Sequence, residues 1–449
     1  MKVAIFVHCF FPEHFYGTET YTLDLAINLQ KLGHEPIIVS ARFSGEPKTD
    51  NVITYYEYDG LPVYCIDKNY IPNTRIKDTY YQPEIGQLLR QLLVDIQPDI
   101  VHVTHLINHT AILLEVINEL QIPTVATLTD FYGFCFNNKL EAADGSLCLG
   151  PNRQRTNCLA CLLKARSSFS TATLAERYVG QYPQSLITAK ALNLLIKIPG
   201  FQRGVIAGTV LDVTCRPDLL SYYYRYYRAV IAPTVFLRKA YVRNGLTAPI
   251  YDIKFGIDLP ILTISTRPIN APIRFGFIGQ MTVHKGVDIL VDAFCRLPYG
   301  AAELYLFGSE KQDPDYSLNL HKKANGYSVK FCGTFPKEEM LKIFSNLDFL
   351  VIPSRWYENS PLVLLNSLAS HTPVIVSDVE GMTEFVEEGK NGYTFKMGDV
   401  QELEQIMQKI IQNPETSLKM SQTTEYPRTT KIMTQEVIKV YQDVLQSCV

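Results

Sequence analysis

Short apolar runs alternate with helical patterns along nearly the whole chain. KVAIFVHCF reads as a buried strand, and TETYTLDLAINLQKLG follows with its apolar residues at helical spacing; Gly33 closes that helix and HEPIIVS resumes as a strand. PDIVHVTH, a helix over HTAILLEVINELQ, IPTVATLTD and the buried run YRAVIAPT continue the first half. The second half is more regular. IRFGFIG, GVDILVDAFCRL, AELYLFG, YSVKFCGTF, KEEMLKIFSNL, DFLVIPS, TPVIVSD and VQELEQIMQKIIQN alternate strand and helix. Continuously apolar strands separated by helices predict parallel sheets covered on both faces. Two such stretches in tandem predict an α/β protein of two Rossmann-like domains with parallel sheets facing a central cleft, ligands binding at the carboxyl ends of the strands.

The expected boundaries are 1–255 for the first domain and 256–428 for the second. A last helix in 429–449, TQEVIKVYQDVLQ, is expected to pack back on the first domain. The linker falls in YDIKFGIDLPILTISTRPINAP, rich in proline and turn residues. The span from Leu162 to Tyr227, with LITAKALNLLIKIPGF and YYYRYYR, is open to two readings: helical packing, or a surface touching membrane or acceptor.

At 449 residues the chain exceeds one ordinary core. A net charge of −3 argues against a nucleic-acid partner bound through phosphate neutralisation. No run is long and apolar enough for a membrane span, and MKVAIFVHCFFPEH lacks the basic start and cleavage site of a signal peptide. A cytoplasmic location, with peripheral contact at the inner membrane face, is the expectation. Ten scattered cysteines fit a reducing compartment.

One stretch departs from the plain α/β pattern. PSRWYENSPLVLLNSLAS reads as a strand end, a loop and a helix, with Ser360 as helix cap and Pro361 in the first turn. Glu358 precedes the cap, and Asn366 interrupts an apolar run eight residues later. Together with FFPEHFYGTETYTLDLAINLQKLGHE, TLTDFYGFC and FIGQMTVHKGVDIL, taken in this order, it resembles the retaining glycosyltransferases of family 4, which have the GT-B fold. The resemblance covers nearly the whole chain. It implies sugar transfer from a nucleotide-diphospho-sugar to a glycan, lipid-linked or small-molecule acceptor, with retention and without a catalytic metal. The alternative is a non-catalytic nucleotide-sugar or glycan-binding protein on the same fold.

Several residues carry that expectation. Gly17 lets backbone N–H groups approach a diphosphate at a helix N-terminus, or serves a tight turn. The family usually has a glycine where Tyr16 stands. Lys285 can stabilise charge on the leaving diphosphate, or be a solvated loop lysine. Gln280 stands where many relatives have arginine, and Arg355 is a lesser candidate for the lysine's work. By resemblance Glu358 holds donor-sugar hydroxyls; otherwise it is a carboxylate at a helix start. The backbone of Asn359, Ser360, Pro361 and Leu362 can also point at the donor. The family places a second glutamate, on the ribose hydroxyls, where Asn366 stands. An amide there weakens the contact by about 1–2 kcal/mol, leaving open an adjusted nucleotide site or a lost one.

Asp130 is the acceptor-side candidate, preceded by Thr129 where the family often has histidine. His102, His105 and His109 cross a strand-to-helix break, which favours surface or packing roles over metal binding. Asp313-Pro314-Asp315 reads as a solvated turn. Cys135, Cys148, Cys158 and Cys161 end in a Cys-x-x-Cys pair that suits a structural zinc; disulfides or free thiols are the alternatives.

Overall fold

The computed structural model describes residues 1–43, 45–169, 171–201, 204–259 and 271–447. They form two compact units, Met1–Lys254 with Thr430–Val449, and Phe255–Thr429. The middle of the expected linker, 260–270, lies outside the described residues.

The first unit runs β1 (Lys2–Phe6), α1 (Gly17–Lys31), β2 (Glu35–Arg42), β3 (Ile53–Tyr58), β4 (Leu61–Asp67), α2 (Gly86–Ile96), β5 (Ile100–Val103), α3 (Thr110–Glu119) and β6 (Thr124–Thr127). Then come α4 (Thr156–Ser167), α5 (Leu174–Gly180), α6 (Gln184–Leu195), α7 (Val205–Tyr224), β7 (Ala229–Ala232), α8 (Val235–Arg243) and β8 (Ile250–Asp252). The sheet order is β3-β4-β2-β1-β5-β6-β7-β8. All pairs are parallel except β3 with β4, an antiparallel hairpin that the short polar-aromatic run ITYYEY did not announce. β1, β5, β6 and β7 are buried nearly throughout, which is why they read as unbroken apolar runs. Gly33 ends α1 with φ +82°, the left-handed conformation that glycine adopts without penalty.

Between β6 and β7 lies a helical insert, α4 to α7. Its own small core joins Cys158, Leu159, Leu162, Ala189, Val210 and Val213.

The second unit runs β9 (Ile273–Ile278), α9 (Val287–Phe294), β10 (Ala302–Phe307), α10 (Pro314–Ala324), β11 (Val329–Gly333), α11 (Met340–Ser345), β12 (Phe349–Ile352), α12 (Leu362–Ala369), β13 (Val374–Ser377), β14 (Gly392–Phe395), α13 (Val400–Gln412) and α14 (Glu415–Thr423). Its six-stranded sheet is parallel, in the order β11-β10-β9-β12-β13-β14. Asp313 of the Asp-Pro-Asp turn caps α10, accepting from the Tyr316 amide at 3.1 Å with Pro314 in the first turn.

The last helix, α15 (Thr430–Gln446), belongs to the first unit. The Asn28 amide on α1 donates to the Thr430 hydroxyl at 2.8 Å, and the buried Tyr441 hydroxyl meets His102 Nδ1 at 2.6 Å. His102 also reaches the Thr127 hydroxyl at 2.8 Å. That histidine is therefore a satisfied core residue that ties α15 to the sheet.

Candidate functional site

In the second unit the carboxyl ends of β9 and β12 carry two loops that are locked together. Gly286 has φ +69°, and a Cβ there would lie 1.9 Å from the Pro353 carbonyl oxygen, so only glycine lets the turn holding Lys285 press onto the end of β12. The Arg355 amide donates to the His284 carbonyl at 2.9 Å. The Arg355 guanidinium reaches the Val283 carbonyl at 3.0 Å and forks onto Asp288 at 2.8 Å on both oxygens. Burial opposes the Asp288 charge, but Arg355 and the Tyr316 hydroxyl hold its carboxyl below the usual range. Arg355 thus clamps the two loops together.

This clamp brings Lys285 and Glu358 together. Lys285 Nζ donates to Glu358 Oε1 at 2.6 Å. The same oxygen accepts from Trp356 Nε1 at 3.0 Å and from the Ser354 hydroxyl. Glu358 is 7% exposed. Burial would raise its carboxyl, yet the Lys285 ammonium and these hydrogen bonds hold it below its ordinary value, so it is ionised at neutral pH. The Trp356 ring packs on the His284 ring with centroids 3.8 Å apart. A third loop, after β13, closes behind: Gly381 has φ +91°, and a Cβ there would lie 1.6 Å from the Glu358 carbonyl oxygen.

The helix start corrects one expectation. Pro361, at φ −61° and ψ 120°, holds the cap position itself, and no side chain caps α12. Ser360 lies outside the helix at φ +49° rather than capping it, because the extended Pro361 separates it from the first turn. Its hydroxyl is buried without a hydrogen-bond partner. Asn359, Ser360, Pro361 and Leu362 thus form an uncapped helix entrance beside Glu358. Asn366 is half-buried, and its amide nitrogen donates to the Leu362 carbonyl at 2.8 Å. That leaves its carbonyl oxygen and its second N–H able to meet a ligand. Gln280 is half-buried two residues past β9. Behind it a Cβ on Gly308 would lie 2.1 Å from the Gly279 carbonyl oxygen.

In the first unit, side chains also gather at the carboxyl ends of β1, β5 and β6. His105 Nε2 meets Asp130 Oδ2 at 2.9 Å. Its Nδ1 accepts from the Ile107 amide at 3.1 Å, so the proton sits on Nε2 and is donated to the carboxylate. Asp130 Oδ1 accepts from the Tyr132 amide at 2.8 Å. The His8 ring lies 4.3 Å from that of His105, and its Nε2 is 3.3 Å from Glu19 Oε1. Burial lowers His8 well below the ordinary histidine value and raises Glu19. His8 Nδ1 and Glu19 Oε2 are buried without hydrogen-bond partners. A small cavity beside this group is lined by Thr104, His105, Asp130, Tyr132, Tyr224 and Tyr241. His109 stands apart, donating to the Val7 carbonyl in the core. Gly17 opens α1 beside exposed Tyr16, with open space where a Cβ would go and no left-handed φ. A tight turn does not require a glycine there.

His8, His284, Ser354 and Trp356 were not singled out in the sequence. The rule that ligands bind past the carboxyl ends of parallel strands could have flagged His8, two residues beyond β1.

The four insert cysteines lie near one another, and burial first, then the neighbouring thiols, raise Cys158 and push Cys161 up to about 12. Each thiol has a local acceptor: Asn137 for Cys135 at 2.9 Å, the Gly150 carbonyl for Cys148 at 3.4 Å, Asn157 for Cys158 at 3.7 Å and the Glu141 carbonyl for Cys161 at 3.5 Å. All nine described cysteines are free thiols. Among the described residues no three His, Cys, Asp or Glu side chains are placed to hold a metal ion.

Comparison with known proteins gives this geometry a family. Residues 266–425 match the family model for Glycosyl transferases group 1, and residues 15–140 match that for Glycosyltransferase Family 4. The chain belongs to the family 4-type glycosyltransferases. It is 28% identical over 142 residues to the sulfoquinovosyl transferase SQD2 of Arabidopsis thaliana, covering 31% of this chain and 26% of that one. It is 28% identical over 171 residues to a glycogen synthase of Mycobacterium tuberculosis, covering 37% and 41%. The matches thus span between a quarter and two fifths of these relatives. The fold is similar to sucrose-phosphate synthase from Thermosynechococcus elongatus, at TM-score 0.64, 15% identity and 99% of both chains. It is also similar to Anabaena HepE in complex with UDP-glucose, at TM-score 0.61, 15% identity, 99% of this chain and 100% of that one. The two parallel α/β units are those of a GT-B glycosyltransferase.

Proposed function

We propose that this glycosyltransferase moves a sugar from a nucleoside-diphosphate sugar to an acceptor hydroxyl, with retention at the anomeric carbon and without a catalytic metal. The Lys285–Glu358 pair at the uncapped entrance of α12 carries the reading. Lys285 keeps further N–H donors for a diphosphate, and the N-terminal end of α12 adds partial positive charge. With Oε1 of Glu358 filled by protein donors, Oε2 remains to accept from sugar hydroxyls. Asn366 offers its carbonyl oxygen to a ribose hydroxyl.

In the transfer, the bond from the anomeric carbon to the diphosphate breaks and its electron pair leaves with the phosphate oxygen. The acceptor oxygen bonds to the same carbon, and its proton passes to the departing phosphate. Lys285 stabilises the charge that builds there. The His105–Asp130 and His8–Glu19 pairs in the first unit would contact the transferred sugar or the acceptor, and Gly17 would let backbone approach the diphosphate. The acceptor is a glycan, a lipid-linked molecule or a small molecule.

The second reading, a binding protein that has lost transfer, draws on Asn366, a neutral amide that also donates to its own helix. Calorimetric titration with UDP, GDP, ADP and dTDP, with and without magnesium, tests both. Micromolar, magnesium-independent binding of one nucleotide supports a working donor site. Binding that requires magnesium, or none at all, counts against it.

A further inference from the structure

The helical insert of the first unit leaves a large apolar face uncovered. α6 is apolar on two sides. Ala189 is buried in the insert core, with Leu186, Leu192 and Ile196 packed against it. The opposite stripe holds Ile187, Ala191, Leu194 and, just past the helix end, Ile198 at helical spacing, all exposed. Leu174 and Tyr178 on α5 and Val205 and Ile206 at the start of α7 are exposed as well, Leu174 at 86% and Val205 at 88%. Phe169 and Tyr182 add two exposed aromatic rings. Leaving one such side chain in water forgoes about 1.5–3 kcal/mol of burial, so the α6 stripe points to an apolar contact.

The charges along this stretch are nearly all of one sign. Arg166, Arg177, Lys190 and Lys197 are all exposed, and Glu176 is the one acid between Arg166 and Lys197. The whole chain carries a net charge of −3, so this basic face runs against the overall balance. Lys190 and Lys197 stand three residues after Ile187 and Leu194, flanking the apolar stripe where lysine stems can lie along it and lift their charges to an interface. Among the described residues no helix is long and apolar enough to cross a membrane.

We propose that this face docks the protein onto an anionic bilayer surface, with α6 lying in the plane of the headgroups, its apolar stripe inserted and its lysines on the lipid phosphates. A second copy of the chain is the weaker occupant, because a self-complementary contact would bring the same cations against each other. The inference does not rest on the transfer reading, and its test needs no turnover.

The full chain is sedimented with vesicles of phosphatidylcholine alone and of equimolar phosphatidylcholine and phosphatidylglycerol, at low and high salt. Binding to the mixed vesicles only, weakened by salt, is expected. Lys190→Glu with Lys197→Glu lowers that binding by tenfold or more, each lysine at the surface contributing about fivefold. Ile187→Glu with Leu194→Glu abolishes it, while circular dichroism and the melting temperature stay as in the parent because both positions are exposed. Absence of binding, equal binding to both vesicles, or binding unchanged in either double variant overturns the proposal. So does a dimer in light scattering that the Ile187→Glu, Leu194→Glu variant dissolves, which would assign the face to a second copy.

Discussion

Glu358 and Lys285 are each the other's principal charge partner at the proposed donor site, and a double-mutant cycle measures what that is worth. The 2.6 Å pair has side chains 9% and 20% exposed. At an effective dielectric of about 20, its gross attraction is about 6 kcal/mol. Desolvation of both ions offsets much of this, and a charge-assisted hydrogen bond of this kind nets about 1.5–3 kcal/mol. Glu358→Gln keeps the shape but weakens three bonds at one oxygen, and should cost about 2–3 kcal/mol of second-unit stability. Lys285→Met leaves a buried carboxylate without its cation and should cost about 3–5 kcal/mol. The double variant should cost little more than Lys285→Met alone, giving a coupling of about 2 kcal/mol. The sole tryptophan, Trp356, bonds to the same carboxylate, so urea unfolding followed by its fluorescence reads this unit directly. A coupling below about 0.5 kcal/mol would refute the claim that the pair organises the site.

Four further outcomes follow from particular residues. Gly17→Ala should leave stability unchanged or raise it by about 0.4–1 kcal/mol, since a Cβ there meets open space, yet cut turnover by about tenfold or more; unchanged turnover would remove Gly17 from the diphosphate path. Asn366→Glu should tighten nucleotide binding by about tenfold in calorimetry, and equal or weaker binding would count against placing Asn366 at the ribose. Gly286→Ala should cost about 2–4 kcal/mol by urea melt, because it faces both a left-handed φ and the Pro353 carbonyl at 1.9 Å; a loss of a few tenths would contradict that packing. Burial holds His102 at about 3 and His109 at about 4, against 6.5 for an open histidine. Between pH 6.5 and 4 the unfolded chain therefore binds more protons than the folded one, and stability falls as pH is lowered, by about 1.4 kcal/mol per pH unit for each histidine. A urea midpoint that stays level across that window would contradict the burial of these two rings.

The regular part of the fold was legible because parallel strands buried on both faces are apolar without interruption. β1, β9, β12 and β13 could be read directly, and the helices between them showed one-sided spacing. β3 and β4 were not, because β3 at the sheet edge mixes half-buried and exposed residues and β4 starts by alternating buried and half-buried ones, so neither begins as an unbroken apolar run. The insert helices were obscured for the opposite reason. α6 is apolar on its packed face and on its exposed face, so periodicity cannot tell core from contact surface. At the site, Lys285 and Glu358 were recognisable by their loops, but their pairing depends on Gly286 and Gly381 touching distant carbonyls, a contact local sequence does not encode. Ser360 looked like a cap because its residue type favours that role, and the extended Pro361 prevents it. Arg355 was legible only as a lesser candidate for a phosphate, and its fork onto Asp288, a partner that only folding brings near, was not.

The most direct test of the central claim is nucleoside-diphosphate release from UDP-, GDP-, ADP- and dTDP-hexoses, with the product sugar followed by NMR. The account predicts that one donor is turned over without magnesium, that an α-linked donor yields an α-configured product, and that Glu358→Gln loses the activity. Nucleotide binding without release, across all four donors and with glycan and lipid-linked acceptors supplied, would contradict it and make the protein a binder on a glycosyltransferase fold.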